Sequence, residues 1–184
     1  DVYEVRHLKA CATSAMRDAS NAPEIIKKVK AETGIEIQII SGDSEASLIY
    51  ENHVAESMTR DESYLYVDVG GGSTELTFFS DGKLIFKKSF NIGTIRLLKN
   101  QVNEAIWDEM KEFIRTKTKG FHHVTAIGSG GNINKIFSLS KRKEGKPLSL
   151  ELLRDYYKEF SNLSLSQRIS LHKLREDRAD VIVP

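Results

Sequence analysis

The chain has 184 residues, 40% of them hydrophobic and 29% charged, and a formal net charge of +1. That is enough apolar material for one or two domains with a real core, and it excludes a disordered chain. A charge so close to zero excludes a global basic field of the kind that gathers nucleic acid, so any polyanion must be held by local groups.

The first predicted element is a short buried strand at 7–12. It contains the one cysteine, Cys11, so no intramolecular disulfide can form, and a buried structural thiol in a reducing compartment is the simpler expectation. Thr13 and Ser14 offer an N-cap for a helical turn at 15–19. Pro23 sits near the start of a second helix that carries Ile25, Ile26 and Val29 on one face, and Gly34 ends it. A strand follows at 35–40, then a helix from Ser41 with Ala46, Leu48, Ile49 and Val54 as its apolar positions. This β-α-β-α order favours parallel pairing.

From residue 64 the pattern changes. Strands at 64–69, 74–79 and 83–90, joined by Gly70-Gly71-Gly72-Ser73 and by Asp81-Gly82, predict an antiparallel meander. Helices at 94–99 and 103–118, a strand at 123–127 and a helix from Asn132 come next. The basic stretch 141–146 reads as a solvated loop, and 148–178 reads as helical. No run reaches the roughly 18 apolar residues of a membrane helix and no signal peptide is visible, so a cytoplasmic protein without a membrane partner is expected. The chain begins with Asp1 and stops at Pro184 just after an apolar triplet, so a piece of a longer protein is expected.

Four segments carry chemistry. In Asp68-Val69-Gly70-Gly71-Gly72-Ser73-Thr74-Glu75, the glycines let an anion approach the main chain without meeting a Cβ. Their amides can form a nest that is expected to need positive φ, and Ser73 and Thr74 add hydroxyl donors. Asp68 and Glu75 bracket this loop, and carboxylates beside a phosphate make sense with a hard cation such as Mg²⁺ between them. A plain hairpin turn would need fewer glycines. Ile127-Gly128-Ser129-Gly130-Gly131-Asn132 runs from a strand into a helix, which suits an anion but equally a tight connection. Glu45, in the first helical turn after Ser41-Gly42-Asp43-Ser44, reads as a stabiliser of the helix N-terminus. Arg17, in the Thr13–Asn21 segment, reads either as an anion ligand or as a surface arginine.

These segments, in this order, resemble the exopolyphosphatase / guanosine pentaphosphate phosphatase (Ppx/GppA) family. Residues 12–21 are similar to its A-T-S-A-x-R-x-A-x-N segment and 40–46 to its I-S-G-x-E-E-A segment. Residues 68–76 match its D-x-G-G-G-S-T-E-L loop. Ile92-Gly93-Thr94-Ile95-Arg96-Leu97, residues 126–132 and residues 178–184 resemble further family positions.

The resemblance implies an α/β fold of ribonuclease-H-like lobes, mixed sheets with flanking helices, in the actin/hexokinase/Hsp70-like superfamily. Residues 1–58 would be the C-terminal part of the first lobe and 59–184 the second, incomplete at its C-terminus. It implies Mg²⁺-dependent hydrolysis of terminal phosphoanhydride bonds of polyphosphate or guanosine pentaphosphate. Glu45 would be the general base, with Glu75 the other catalytic carboxylate. Asp68 would stand near the metal, Gly70, Gly71, Gly72, Ser73 and Thr74 would cradle the scissile phosphate, and Arg17 would grip the polyanion. Gly128, Ser129, Gly130 and Gly131 would form a second phosphate loop.

The chain departs from the family in three ways. An N-terminal D-x-G-S-N-type loop is absent, Ser44 replaces the first Glu of a pair, and Ser47 stands where Arg is usual. These 184 residues alone are therefore expected to be inactive. Another actin-like ATPase or sugar kinase, or a non-catalytic module binding (p)ppGpp or polyphosphate, is the alternative. A homodimer stands among the assemblies considered, and no nucleic-acid partner is expected.

Overall fold

The computed structural model describes residues 7–41, 44, 62–143 and 145–184. The chain divides into two compact units, 1–57 and 58–184.

In the first unit, β1 (Ala10–Ala12) pairs in parallel with β2 (Ile37–Ile39), Ala10 opposite Ile37. The crossover consists of α1 (Ser14–Asp18) and α2 (Ala22–Thr33). Pro23 lies in the first turn of α2, and Gly34 closes it in the left-handed conformation (φ 72°), its N–H bonded to the Lys30 carbonyl. The strands are shorter than the sequence predicts: residues 7–9 lie outside β1, and Leu8 is exposed. Cys11 is a free, half-buried thiol. Ser44 donates its N–H to Ser41 Oγ at 3.2 Å, as an N-cap serine accepts at a helix start. The rest of the helix expected from Ser41 onward lies outside the described residues.

In the second unit, β3 (Ser63–Val69), β4 (Thr74–Ser80), β5 (Lys83–Phe90) and β6 (Val124–Ser129) form a mixed sheet in the order β5-β4-β3-β6. The meander is antiparallel, and β6 joins β3 in parallel. Asp81 and Gly82 both take positive φ (51° and 70°), the geometry of a tight type I′ hairpin turn. β4 is buried along its whole length, while the edge strand β5 exposes Leu84 and Ile85 among lysines that discourage further strand pairing.

Alternation puts Leu65, Val67, Leu76 and Phe78 on one face of this sheet. They pack with Phe90, Ile92 and the Ile106, Trp107, Met110, Phe113, Ile114 stripe of α4 (Glu104–Lys117). That spacing is the i, i+3, i+4, i+7 signature of one helical face. Asn103 caps α4, accepting from Ile106 N at 3.0 Å. In the chain, the short α3 (Thr94–Leu98) comes between β5 and α4, and β6 leads into α5 (Gly131–Leu139).

The single helical stretch expected over 148–178 is three helices: α6 (Leu150–Asn162), α7 (Leu165–His172) and α8 (Glu176–Ala179). Leu163 turns extended, and Ser164 opens α7 with a capping box to Gln167. Lys173 then ends α7 at a left-handed φ of 50°. Phe160, Leu174, Ala179 and Ile182 form a second core cluster there. Arg168 fastens it by donating from Nε to the Phe160 carbonyl (2.9 Å) and from Nη1 to the Ala179 carbonyl (3.0 Å). The basic stretch 141–146 is an exposed loop at each described position, as expected.

Candidate phosphate site

Because β3 and β6 run in parallel, their C-terminal ends bring the two glycine segments to the same end of the sheet. The contact is close. Gly130, at φ 105°, leaves no space for a Cβ, which would run into the Val69 carbonyl oxygen. Gly128 packs tightly against Ile133, where a Cβ would sit 3.1 Å from its Cγ1. At Gly131 a Cβ would meet the Arg178 guanidinium, which itself donates to Asn132 Oδ1 at 2.8 Å. Arg178 is a neighbour of the second glycine loop that sequence reasoning did not place there. Nothing local in the sequence links positions 47 residues apart.

The register aligns four polar residues in one row across the sheet: Ser89 on β5, Glu75 on β4, Asp68 on β3 and Ser129 on β6. They lie on the face opposite the Leu65–Phe78 core. Ser129 Oγ donates to Asp68 Oδ1 at 2.5 Å, and Ser89 Oγ donates to Glu75 Oε1 at 2.9 Å. Ser129, expected as a phosphate ligand, thus has its hydroxyl proton on Asp68. Ser89 was not anticipated: plain pairing from the Asp81-Gly82 turn puts Lys88 opposite Glu75, and the register shift between Phe78 and Phe79 brings Ser89 there instead. Asp68 and Glu75 are direct cross-strand partners, an arrangement that is unfavourable for two like charges unless a cation or a proton intervenes. On the same face, burial chiefly, and then the neighbouring Tyr64, holds the Tyr66 phenol above its ordinary value.

The triglycine loop has a conformation different from the expected one. None of Gly70, Gly71 and Gly72 takes the left-handed φ of an alternating nest. The loop is instead closely approached: a Cβ on Gly71 would lie 3.1 Å from Ile95 Cγ1, a tight contact that a small shift of that side chain relieves. From the facing segment, a Cβ on Gly93 would lie 2.5 Å from the Gly71–Gly72 peptide. Thr74 is also corrected. Its hydroxyl is buried and donates to the Ile92 carbonyl at 2.7 Å, which fastens the start of β4 rather than facing a ligand. Ser73 is buried beside it and Gly71 is exposed.

In the first unit, Arg17 donates from Nη1 to the Ile40 carbonyl at 2.6 Å, tying α1 to the end of β2. Glu45 lies outside the described residues.

The model of the Ppx/GppA phosphatase family matches residues 1–184. The chain belongs to that family. Among solved structures, the Ppx/GppA family member from Aquifex aeolicus is 26% identical with a TM-score of 0.71, over 99% of this chain and 64% of that one. The exopolyphosphatase from Cytophaga hutchinsonii is 25% identical with a TM-score of 0.76, over 97% of this chain and 64% of that one. A bifunctional 3-dehydroquinate synthase/phosphatase from Fusobacterium nucleatum is 43% identical over 96 residues, 51% of this chain and 14% of that protein. The chain therefore spans less than two thirds of these relatives. Its α/β architecture, a mixed sheet flanked by helices, is that of the Ppx/GppA family. Among the described residues, no helix is long and apolar enough to cross a membrane.

Proposed function

We propose that the intact protein hydrolyses terminal phosphoanhydride bonds of inorganic polyphosphate, guanosine pentaphosphate or both. The observation that carries this reading is the junction of the two glycine segments at the ends of β3 and β6, with the Asp68 carboxylate against Ser129 beside them. Main chain bare of Cβ atoms, next to carboxylates that share one face, suits a phosphate accompanied by a hard cation. The names of the Cytophaga and Fusobacterium relatives, an exopolyphosphatase and a phosphatase, support the same chemistry.

Mg²⁺ fits this donor set. Asp68 and Glu75 offer oxygen ligands from adjacent positions, and Mg²⁺ is commonly held by one or two carboxylates together with substrate phosphates and water. Among the described residues no cluster of three or more His, Cys, Asp or Glu side chains forms, so phosphate oxygens and water would fill the remaining positions. Bound there, the ion would neutralise charge on the phosphate chain.

In the proposed reaction the Gly70–Ser73 main chain orients the terminal phosphate. Glu45 takes a proton from water as the water oxygen attacks phosphorus in line. The bond to the bridging oxygen breaks, giving orthophosphate and a chain one phosphate shorter. Arg17 holds the remainder of the polyanion.

The test is phosphate release by the intact protein from polyphosphate, guanosine pentaphosphate and ATP, each with and without Mg²⁺. Release from either of the first two that requires Mg²⁺ is expected. Release from ATP alone would reassign the protein to the nucleotide hydrolases. Tight polyphosphate binding with no release would make it a binding module.

A further inference from the structure

All three carbonyls of the triglycine loop are held from one side, by residues of the first turn of α3. The Gly70 carbonyl accepts from Thr94 N at 3.0 Å. The Gly71 carbonyl accepts from Ile95 N at 2.8 Å and Arg96 N at 3.3 Å. The Gly72 carbonyl accepts from the Arg96 side chain, Nε to O, at 2.6 Å. A trans peptide is planar, so its N–H points opposite to its C=O, and no peptide bond described here is cis. Fixing these carbonyls toward α3 therefore aims the amides of Gly71, Gly72 and Ser73 to the other side. Among the described residues, no backbone hydrogen bond uses any of these amides as donor. The result is a row of parallel donors like the first turn of a helix, reached without left-handed φ.

We infer that Arg96 is a positioning residue of the phosphate cradle: by holding the Gly72 carbonyl it orients the Gly72–Ser73 peptide and presents the Ser73 amide, alongside those of Gly71 and Gly72, to an anion. The inference rests on reading this loop as the phosphate site. Thr94 and Ile95 hold the first two carbonyls through main-chain N–H groups that most residues would supply. The third needs a side chain that reaches back from α3. The half-buried guanidinium does so with a charged donor, so its bond to Gly72 is of the stronger, charge-assisted kind. Gly93 makes the approach possible, since a side chain there would collide with the Gly71–Gly72 peptide.

The test uses the intact protein, with tripolyphosphate as the probe, calorimetric titration for affinity and amide NMR for location. In the wild type, the Gly71, Gly72 and Ser73 amides should shift most. Arg96→Met keeps the aliphatic stem and removes the donor. It should raise Kd roughly ten- to a hundredfold, the worth of one hydrogen bond to a charged group. The Ser73 amide should drop out of the shifted set while Gly71 and Gly72 remain in it, a selectivity that general loosening of the fold would not produce. Wild-type affinity in a folded Arg96→Met protein overturns the inference. Gly71→Val, titrated in parallel, tells the two failures apart. If it also binds normally, the loop is not the phosphate site and the underlying reading falls with the inference. If it alone loses binding, only the role of Arg96 falls. Should Arg96→Met not fold, the wild-type titration decides: shifts centred on Gly71–Ser73 support the inference, and shifts centred elsewhere overturn it.

Discussion

Gly130 is the residue whose replacement has the clearest structural consequence. Its φ of 105° and the Val69 carbonyl beside it leave no conformation or volume for a side chain. Gly130→Ala should cost about 1–3 kcal/mol from backbone strain alone, with the collision adding to it, as read from denaturant unfolding. A change within about 0.5 kcal/mol would place it among ordinary surface substitutions and contradict the geometry. Glu45 gives a different kind of prediction. As the proposed base, Glu45→Gln in the intact protein should lower turnover by roughly two to four powers of ten with polyphosphate affinity preserved or raised. A residue that only stabilised its helix N-terminus would lose about 0.3–1 kcal/mol of stability and little rate. Turnover and melting temperature measured on the same variant separate the two. At this scale the sequence showed where the glycines lie but not why. The expected positive φ is absent at Gly70–Gly72; the close approach instead requires glycine at Gly93, which lies against the Gly71–Gly72 peptide more than 20 positions away in the chain. A sequence lists hydroxyls without their acceptors, so the bonds from Thr74 to the Ile92 carbonyl and from Ser129 to Asp68 could not be read from it.

Elements were legible where short-range signals fixed them. The three-strand meander follows from alternation and from Asp81-Gly82, and α4 from its apolar stripe and Asn103 cap. The region 148–178 was not, because its apolar content is continuous while its breaks are local. The Ser164–Gln167 capping box was present in the sequence as a start signal inside a supposed helix, and Lys173 gives no glycine to mark the left-handed stop. Ser164→Ala should therefore destabilise the second unit by about 1 kcal/mol, the usual worth of an N-cap, and lower its melting temperature. Unchanged stability would mean that the Arg168 bonds and the Phe160 cluster hold α7 without its cap. On the sheet, Phe78 is fully buried, stacked on Phe86 and edge-to-face with Phe121. Phe78→Ala should cost about 3–5 kcal/mol, and a loss under about 1 kcal/mol would contradict the packing described for that core.

At the scale of the molecule, Arg17 and Glu45 fall in the 1–57 unit and both glycine loops in the 58–184 unit. The order of motifs along the chain was enough to name the family, which the match over all 184 residues establishes. The polar row across β5, β4, β3 and β6 could not be read without the register, which depends on β6 joining β3 from more than 50 residues away. The central claim is that the Gly70–Ser73 main chain receives phosphate. Gly71 is exposed, and Ile95, its crowding neighbour, is 41% exposed and able to give way, so a side chain at 71 can be accommodated by the fold while filling the cradle. The most direct measurement is the equilibrium affinity of the intact Gly71→Val protein for polyphosphate, with its melting temperature recorded alongside. The account predicts a folded protein with polyphosphate binding abolished; wild-type affinity in that folded protein would contradict it.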